Sequence, residues 1–174
     1  MTRRGFTIVE LIITITIMGI LLTLAVVNIG ATQVNARDDQ RKTDIEAIAS
    51  NLEAFYVSGT DNSTSVGIYP STDVTGSTTN ITSTLRDATI ASFLPPGTTD
   101  VALTFLPSTN TGTAPSIQTT TGVLPQPTKD QYVYQPIESD GSVCGSGETD
   151  CRKFNLFYYL ESDASVHKVT SKNQ

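Results

Sequence analysis

The sequence is poor in the residues that most often build catalytic and metal sites. Its 174 residues include one histidine, two cysteines and no tryptophan. A structural zinc site needs about four ligands, and a Ser-His-Asp site needs a histidine between two partners. The lone His167 lies between Val and Lys, and the chain has neither an HExxH motif nor a glycine-rich phosphate-binding loop. The sequence therefore predicts no enzyme, no cofactor and no metal site.

Positive charge is also scarce. The chain has 11 basic and 17 acidic residues, which gives a net charge of −6. An acidic surface repels phosphate backbones, so direct binding of nucleic acid is not predicted. The length suits a single domain with one core.

Charge is almost missing from residues 6–29, where Glu10 is the only charged side chain. As a helix, this segment spans about 36 Å, which is enough to cross a bilayer. Arg3 and Arg4 precede it, and the positive-inside rule predicts that they stay in the cytoplasm while the rest of the chain lies outside. We therefore expect one membrane span.

Glu10 leaves three interpretations of this segment. An ordinary single-pass anchor does not explain a carboxylate within the span, which costs about 2.5–3.5 kcal/mol on insertion scales. A secretory signal with its cleavage site at residues 34–36 would have too long an apolar core. In the third interpretation Glu10 has a partner, because ionisable groups inside membrane spans are usually functional. We favour the third.

The string Gly-Phe-Thr-Ile-Val-Glu-Leu at residues 5–11, between a short basic leader and the apolar run, resembles a known signal. It is similar to the class III signal of type IV pilins and of the pseudopilins of type II secretion and competence systems. The resemblance implies that a prepilin peptidase cuts between Gly5 and Phe6 and that Phe6 is then N-methylated. It also implies assembly of identical subunits into a helical homopolymer, in which the Phe6 amine of one subunit meets Glu10 of another.

The same resemblance implies further partners and a location. The partners are the pilus assembly platform with its ATPase and, before assembly, the cytoplasmic membrane. The subunit then moves to an extracellular filament at the cell surface that serves adhesion, twitching motility or DNA uptake. Two alternatives remain open, a pseudopilin and a membrane-anchored extracytoplasmic binding domain that never polymerises.

The pattern changes after Gly30 without a turn signal. Ile45, Ile48, Leu52 and Phe55 follow one another at helical spacing, so the helix is predicted to continue as an amphipathic rod. The mixed charges before them allow pairs such as Asp38 with Lys42. We therefore divide the N-terminal region into a leader (residues 1–5), an apolar half (residues 6–30) and an amphipathic half (residues 31–57).

Residues 58–174 are predicted to form the head. Residues 58–130 are rich in Gly, Pro, Ser, Thr and Asn, with a short helix expected at 85–94 and a strand at 101–106. Further strands are expected within residues 131–174, at 131–134, 154–160 and 165–169. The expected fold class is α+β, with a long N-terminal helix packed against a small antiparallel sheet whose other face meets solvent. The resemblance implies that this is the type IV pilin fold.

Cys144 and Cys151 are the only cysteines. In an oxidising compartment they are predicted to form a disulfide, with free thiols or metal ligation as alternatives. In pilins a C-terminal disulfide commonly braces a surface loop, so the resemblance supports the same pairing. Nearby acidic residues such as Asp140 and Asp150 could contribute oxygens to calcium, but their spacing does not match an EF-hand, and we favour ordinary acidic turns.

Overall fold

One helix dominates the structure. A computed structural model describes residues 5–59 and 65–173, apart from the side chains of residues 26–28. Helix α1 covers Ile8–Ser58 and runs without interruption through both the apolar and the amphipathic half. It ends at Gly59, whose φ of 65° suits glycine and whose N–H donates to the carbonyl of Phe55.

The head contains a four-stranded sheet, and its strands follow one another in chain order. Their bounds are β1 Phe105–Pro107, β2 Tyr132–Glu138, β3 Cys151–Leu160 and β4 Ser165–Thr170. Both pairings of β3 are antiparallel, but β1 pairs with β2 in parallel. The predicted α+β class is therefore confirmed and is consistent with a pilin fold, while the sheet is mixed instead of wholly antiparallel. The parallel pair is possible because a long connection, residues 108–131, separates β1 from β2.

Two local predictions in the loop-rich region are wrong. The expected helix at 85–94 is replaced by α2 at Thr78–Thr84 and a 3₁₀ turn at Ile90–Phe93. The expected strand at 101–106 begins only at Phe105, because α3 occupies Val101–Thr104. The Asp100 side chain accepts a hydrogen bond from the N–H of Ala102 and so caps this helical turn.

The main core lies between the amphipathic half of α1 and the inner face of the sheet. Ile45, Ile48 and Leu52 are completely buried, as the helical spacing predicts. The partners from the head include aromatic side chains from the sheet and from the loop-rich region, among them Tyr69, Phe93, Phe105, Tyr132, Tyr134 and Phe154.

The prediction that the outer face of the sheet meets solvent is wrong. Val133 and Phe157 lie on that face and are fully buried in a second, smaller core with Val123. The segment 108–126 covers them. It is held by Gln135, whose Nε2 donates to the carbonyl of Ile117 at 3.0 Å. A loop, and not solvent, therefore covers the outer face of the sheet.

Glu53 joins three parts of the chain at the upper end of α1. One carboxylate oxygen accepts from the hydroxyl of Tyr69 at 2.9 Å and from Nδ2 of Asn173 at 2.8 Å. The other accepts from the N–H of Lys172 at 2.7 Å. This carboxylate therefore fastens the C-terminal residues to the helix.

Candidate assembly site

The predicted cleavage site lies just outside the helix. Gly5 and Phe6 are not helical, and α1 begins at Ile8 after the N-cap residue Thr7. Phe6 is 88% exposed. The Gly5–Phe6 peptide bond therefore lies in non-helical, accessible backbone, although leader residues 1–4 lie outside the described part of the chain. Cleavage and methylation at these positions remain predictions.

Glu10 caps the helix from within its first turn. Its Oε2 atom accepts hydrogen bonds from the N–H and the hydroxyl of Thr7, each at 2.9 Å. In return, the N–H of Glu10 donates to Oγ1 of Thr7 at 3.2 Å. This reciprocal arrangement is a capping box, and it satisfies helix N–H groups that would otherwise lack partners. The predicted partner of Glu10 lies in a neighbouring subunit; this contact within the chain was not predicted, although the Thr-x-x-Glu spacing signals it.

Along the whole apolar half of α1, the described apolar side chains are not packed against the head. The large ones are 52% to 88% exposed: Phe6, Ile8, Val9, Leu11, Ile12, Ile13, Ile15, Ile17, Met18, Ile20, Leu21, Leu22, Leu24 and Ile29. By length and composition this part of α1 could cross a membrane, and the most apolar 18-residue window is wholly unburied. Such a surface needs lipid or another protein as its partner.

The threonines of the apolar half satisfy their own hydroxyl groups. Thr14 and Thr23 donate to carbonyls three residues back, each at 2.8 Å, and Thr16 donates to the carbonyls of Ile12 and Ile13. Because these donors have acceptors on the same helix, they do not have to be paired by water. The segment is thus compatible with an apolar surround.

A buried ion pair lies on the face of α1 that meets the head. Nη1 of Arg41 donates to Oδ1 of Asp38 at 2.8 Å, and both side chains are almost fully buried. Asp38 also accepts from the backbone N–H groups of Glu161 and Ser162, at 2.9 and 2.8 Å. Burial tends to raise the pKa of Asp38, but these donors outweigh it and hold the pKa below its ordinary value.

Glu161 completes this cluster from the turn between β3 and β4. It accepts from Arg37 through two nitrogens at 2.8 and 2.9 Å, and from Nη2 of Arg41 at 2.7 Å. The hydrogen bond from Arg37, supported by Arg41, lowers the pKa of Glu161 to about 2. We call Arg37, Asp38, Arg41 and Glu161 the junction cluster. Its two positive and two negative side chains balance in charge, so that the two buried members, Asp38 and Arg41, both have ion-pair or hydrogen-bond partners.

The predicted pairing of Asp38 with Lys42 is wrong. Asp38 faces the head and pairs with Arg41, while Lys42 pairs with the exposed Asp39 at 3.3 Å. The spacing of the buried stripe, continued from Ile45 toward the N-terminus in steps of four and three residues, reaches Arg41 and Asp38. This continuation of the stripe could have predicted that both side chains face the head.

Asp44 lies on the same buried side of α1, and among the described residues it has no ion-pair partner. Its Oδ2 accepts from the hydroxyl of Tyr132 at 3.0 Å. Burial raises the pKa of Asp44 to about 6, and the hydrogen bond from Tyr132 opposes this only in part. This carboxylate therefore carries an electrostatic cost at neutral pH.

The predicted pairing of Cys144 with Cys151 is present as a disulfide in the structure, with a Cα–Cα distance of 5.7 Å. The loop that it closes is docked on Asp73, which accepts from Oγ of Ser146 at 2.6 Å and from the N–H of Gly147 at 2.8 Å. Within residues 5–59 and 65–173, no three His, Cys, Asp or Glu side chains come together as a metal site.

Comparison with known proteins gives one match. The family model for the prokaryotic N-terminal methylation motif matches residues 1–26. No curated protein and no solved structure matches the chain. The match confirms the predicted class III signal, which is typical of type IV pilin-like proteins, and supports a pilin-like or pseudopilin precursor. It covers the segment that holds Gly5, Phe6 and Glu10, and it does not extend to the head.

Proposed function

We propose that this protein is the precursor of a structural subunit of a type IV pilus-like filament. One observation carries the proposal: the methylation motif lies on a helix whose apolar half is uncovered, while its amphipathic half is already occupied by the head. A membrane can cover the apolar half before assembly, and the same halves of identical subunits can cover it afterwards. The head pairs with the amphipathic half, for example at Arg37, and leaves the described large apolar side chains of the apolar half exposed for both.

The proposed assembly contact is an ion pair between the Phe6 amine, which exists only after cleavage, and the Glu10 carboxylate of another subunit. Cleavage by prepilin peptidase after Gly5 makes an α-ammonium group at Phe6, which is then methylated. A neighbour's Glu10 carboxylate is a suitable partner, because an unpaired carboxylate is expensive in an apolar surround. The pairing would fix the position of each new subunit relative to the last.

In this proposal the precursor crosses the cytoplasmic membrane once, with its N-terminus inside. The assembly platform and its ATPase then move it into a filament whose heads face outward at the cell surface. Adhesion, twitching motility and DNA uptake are the tasks that fit such a filament. A pseudopilin of a secretion or competence system is the alternative, since it shares the same N-terminal signal.

The test is Glu10→Val in the full chain, expressed with its processing and assembly machinery. We expect a chain that starts at a methylated Phe6, stays in the membrane and yields no sheared filaments. Glu46→Val, which removes an exposed carboxylate from the amphipathic half, is the matched control and should assemble. Normal filaments from Glu10→Val would refute the assembly role of Glu10, and a mature chain that still starts at Met1 would refute processing. Electron microscopy of wild-type filaments distinguishes long surface pili from short pseudopili.

A further inference from the structure

We infer that the open edge of strand β4 is a docking site for an extended segment of a second protein, which adds to the sheet as a further strand. The segment that fits this edge alternates apolar and acidic residues. The inference concerns the head, and it goes beyond the proposed function, which concerns the helix through which subunits assemble.

The backbone of β4 has unpaired hydrogen-bonding groups along one edge. β4 is the last strand of the sheet, so only its edge toward β3 is paired. The N–H of Ser171 donates to the carbonyl of Phe154 at 3.0 Å, which makes these two residues a hydrogen-bonded pair of the antiparallel ladder. Because such pairs alternate with non-hydrogen-bonded ones, the N–H and C=O groups of Val166, Lys168 and Thr170 point away from β3. Within the described part of the chain these groups have no partner, and an extended segment can supply one for each.

A groove between β4 and the amphipathic half of α1 lies beside this edge. It has a volume of about 350 Å³, and the half-buried side chains of Ala49 and Val169 line it. Every second side chain of an added strand points toward this side of the sheet. Apolar side chains suit these positions, because they can cover Ala49 and Val169. An acidic side chain does not, because the exposed carboxylate of Glu46 also lines the groove and would repel it.

The opposite side of the edge favours acidic residues. Lys168 is exposed there, and its Nζ donates to the carbonyl of Gln118 in the segment that covers the outer face. In residues 5–59 and 65–173, no carboxylate forms an ion pair with Lys168. An acidic residue directly across from it on an added strand would provide one. The two sides of the edge together therefore select a segment in which apolar and acidic residues alternate.

Lys168 also disfavours a second copy of this chain as the occupant. If two β4 edges pair in antiparallel orientation with full overlap, Lys168 lies directly across from Lys168 of the other copy. Like charges in that position are destabilising, and a lysine on an edge strand is a common protection against self-pairing. A shifted register separates the two lysines but shortens the ladder. The occupant is therefore a segment of a different protein.

The probe is a fluorescently labelled peptide of alternating valine and glutamate, with the 6-residue length of β4. It is titrated with the full chain in detergent micelles, and fluorescence anisotropy gives the Kd. We expect binding that saturates below about 1 mM. A peptide with lysine in place of glutamate is the matched control and should bind about fivefold more weakly, because it places like charges across from Lys168.

Two positions in β4 separate the backbone contribution from the charge. Thr170→Pro removes an N–H that points away from β3, so the ladder within the subunit stays intact. It should weaken binding of the glutamate peptide about tenfold, whereas Thr170→Val has a similar shape to threonine and keeps the N–H. Lys168→Glu should reverse the preference, so that the lysine peptide binds more tightly than the glutamate peptide. Near-ultraviolet circular dichroism checks that each variant is folded.

Amide hydrogen exchange locates the bound peptide. A saturating concentration of the glutamate peptide should slow exchange at Val166, Lys168 and Thr170. Failure of the wild-type chain to bind, or equal binding by Thr170→Pro, overturns the docking site. An unchanged preference in Lys168→Glu overturns the acidic chemistry of the occupant. Dimers of the wild-type chain that are lost in Thr170→Pro would make a second copy the occupant, which also overturns the inference. These outcomes are independent of whether Glu10→Val assembles into filaments.

Discussion

The two halves of α1 form one continuous helix but meet opposite surroundings. The described large side chains of the apolar half are all more than half exposed, whereas Ile45, Ile48 and Leu52 of the amphipathic half are fully buried. The change falls near the junction cluster, where Arg37 of the helix pairs with Glu161 of the head. A single continuous helix can therefore have two different environments. The head covers the amphipathic half, whereas the apolar half needs a partner from outside the subunit.

The two halves are also stabilised by different interactions. The amphipathic half is stabilised within the subunit, by burial of its apolar side chains from Ile45 onward and by the junction cluster on the N-terminal side of them. The apolar half gains little there, because its side chains lack protein neighbours. Substitutions in the two halves should consequently affect different measurements, namely unfolding of the head and assembly of the filament.

The largest expected effect on the head comes from Asp38→Ala. Loss of this carboxylate leaves Arg41 buried without its partner and removes the acceptor for two backbone N–H groups. We expect the free energy of unfolding of the full chain in detergent micelles to fall by about 3–5 kcal/mol. Urea titration followed by near-ultraviolet circular dichroism measures it. Asp39→Ala is the control, since Asp39 is exposed, and an equal loss there would contradict the division at the junction.

A pair of leucine substitutions compares the halves directly. Leu52→Ala removes a fully buried side chain and should cost about 2–5 kcal/mol in the same titration. Leu22→Ala removes a side chain that is 65% exposed and should leave unfolding of the head within about 0.5 kcal/mol of wild type. A large effect of Leu22→Ala on the head would break the comparison.

A smaller effect than that of Asp38 or Leu52 is expected at Asp44, and it has a defined sign. Its folded pKa of about 6 lies above the unfolded value of about 3.9, so the folded protein holds this proton more tightly. Its contribution to stability is full below about pH 4 and is lost as pH rises through about 6. Asp44→Asn should remove that decline and raise stability at pH 7 by on the order of 1 kcal/mol. Unfolding titrations from pH 4 to 7 test this, and an unchanged decline in the variant would exclude Asp44 as its source.

Much of the assembly site could be predicted because its signals are local. The leader, Gly5, Phe6 and Glu10 lie within one short string, and the following apolar run specifies a membrane span by composition alone. The buried stripe Ile45, Ile48, Leu52 and Phe55 was equally readable from its spacing. The same local string contains the Thr-x-x-Glu spacing of the capping box, which was not among the predictions.

The head was less predictable for a physical reason. Its loop-rich segment has few periodic apolar residues. The position of a short helix such as α3 therefore depends on a single capping residue, in this case Asp100. Alternation within β2 and β3 correctly separates the two faces of the sheet. It does not reveal that segment 108–126 covers the outer one, because that segment is a loop without a periodic apolar pattern of its own.

The sequence by itself determined the membrane-competent helix, the processing signal and the buried face of the amphipathic half, since each depends on neighbours within a few residues. Only the tertiary structure decided the partners of Asp38 and Arg41, the parallel pairing of β1 and the cover on the outer face. Asp38 meets Glu161 across 123 positions of sequence, and Arg41 meets it across 120. A charge on a helix has many equivalent partners in a linear sequence, and burial against one particular turn selects among them.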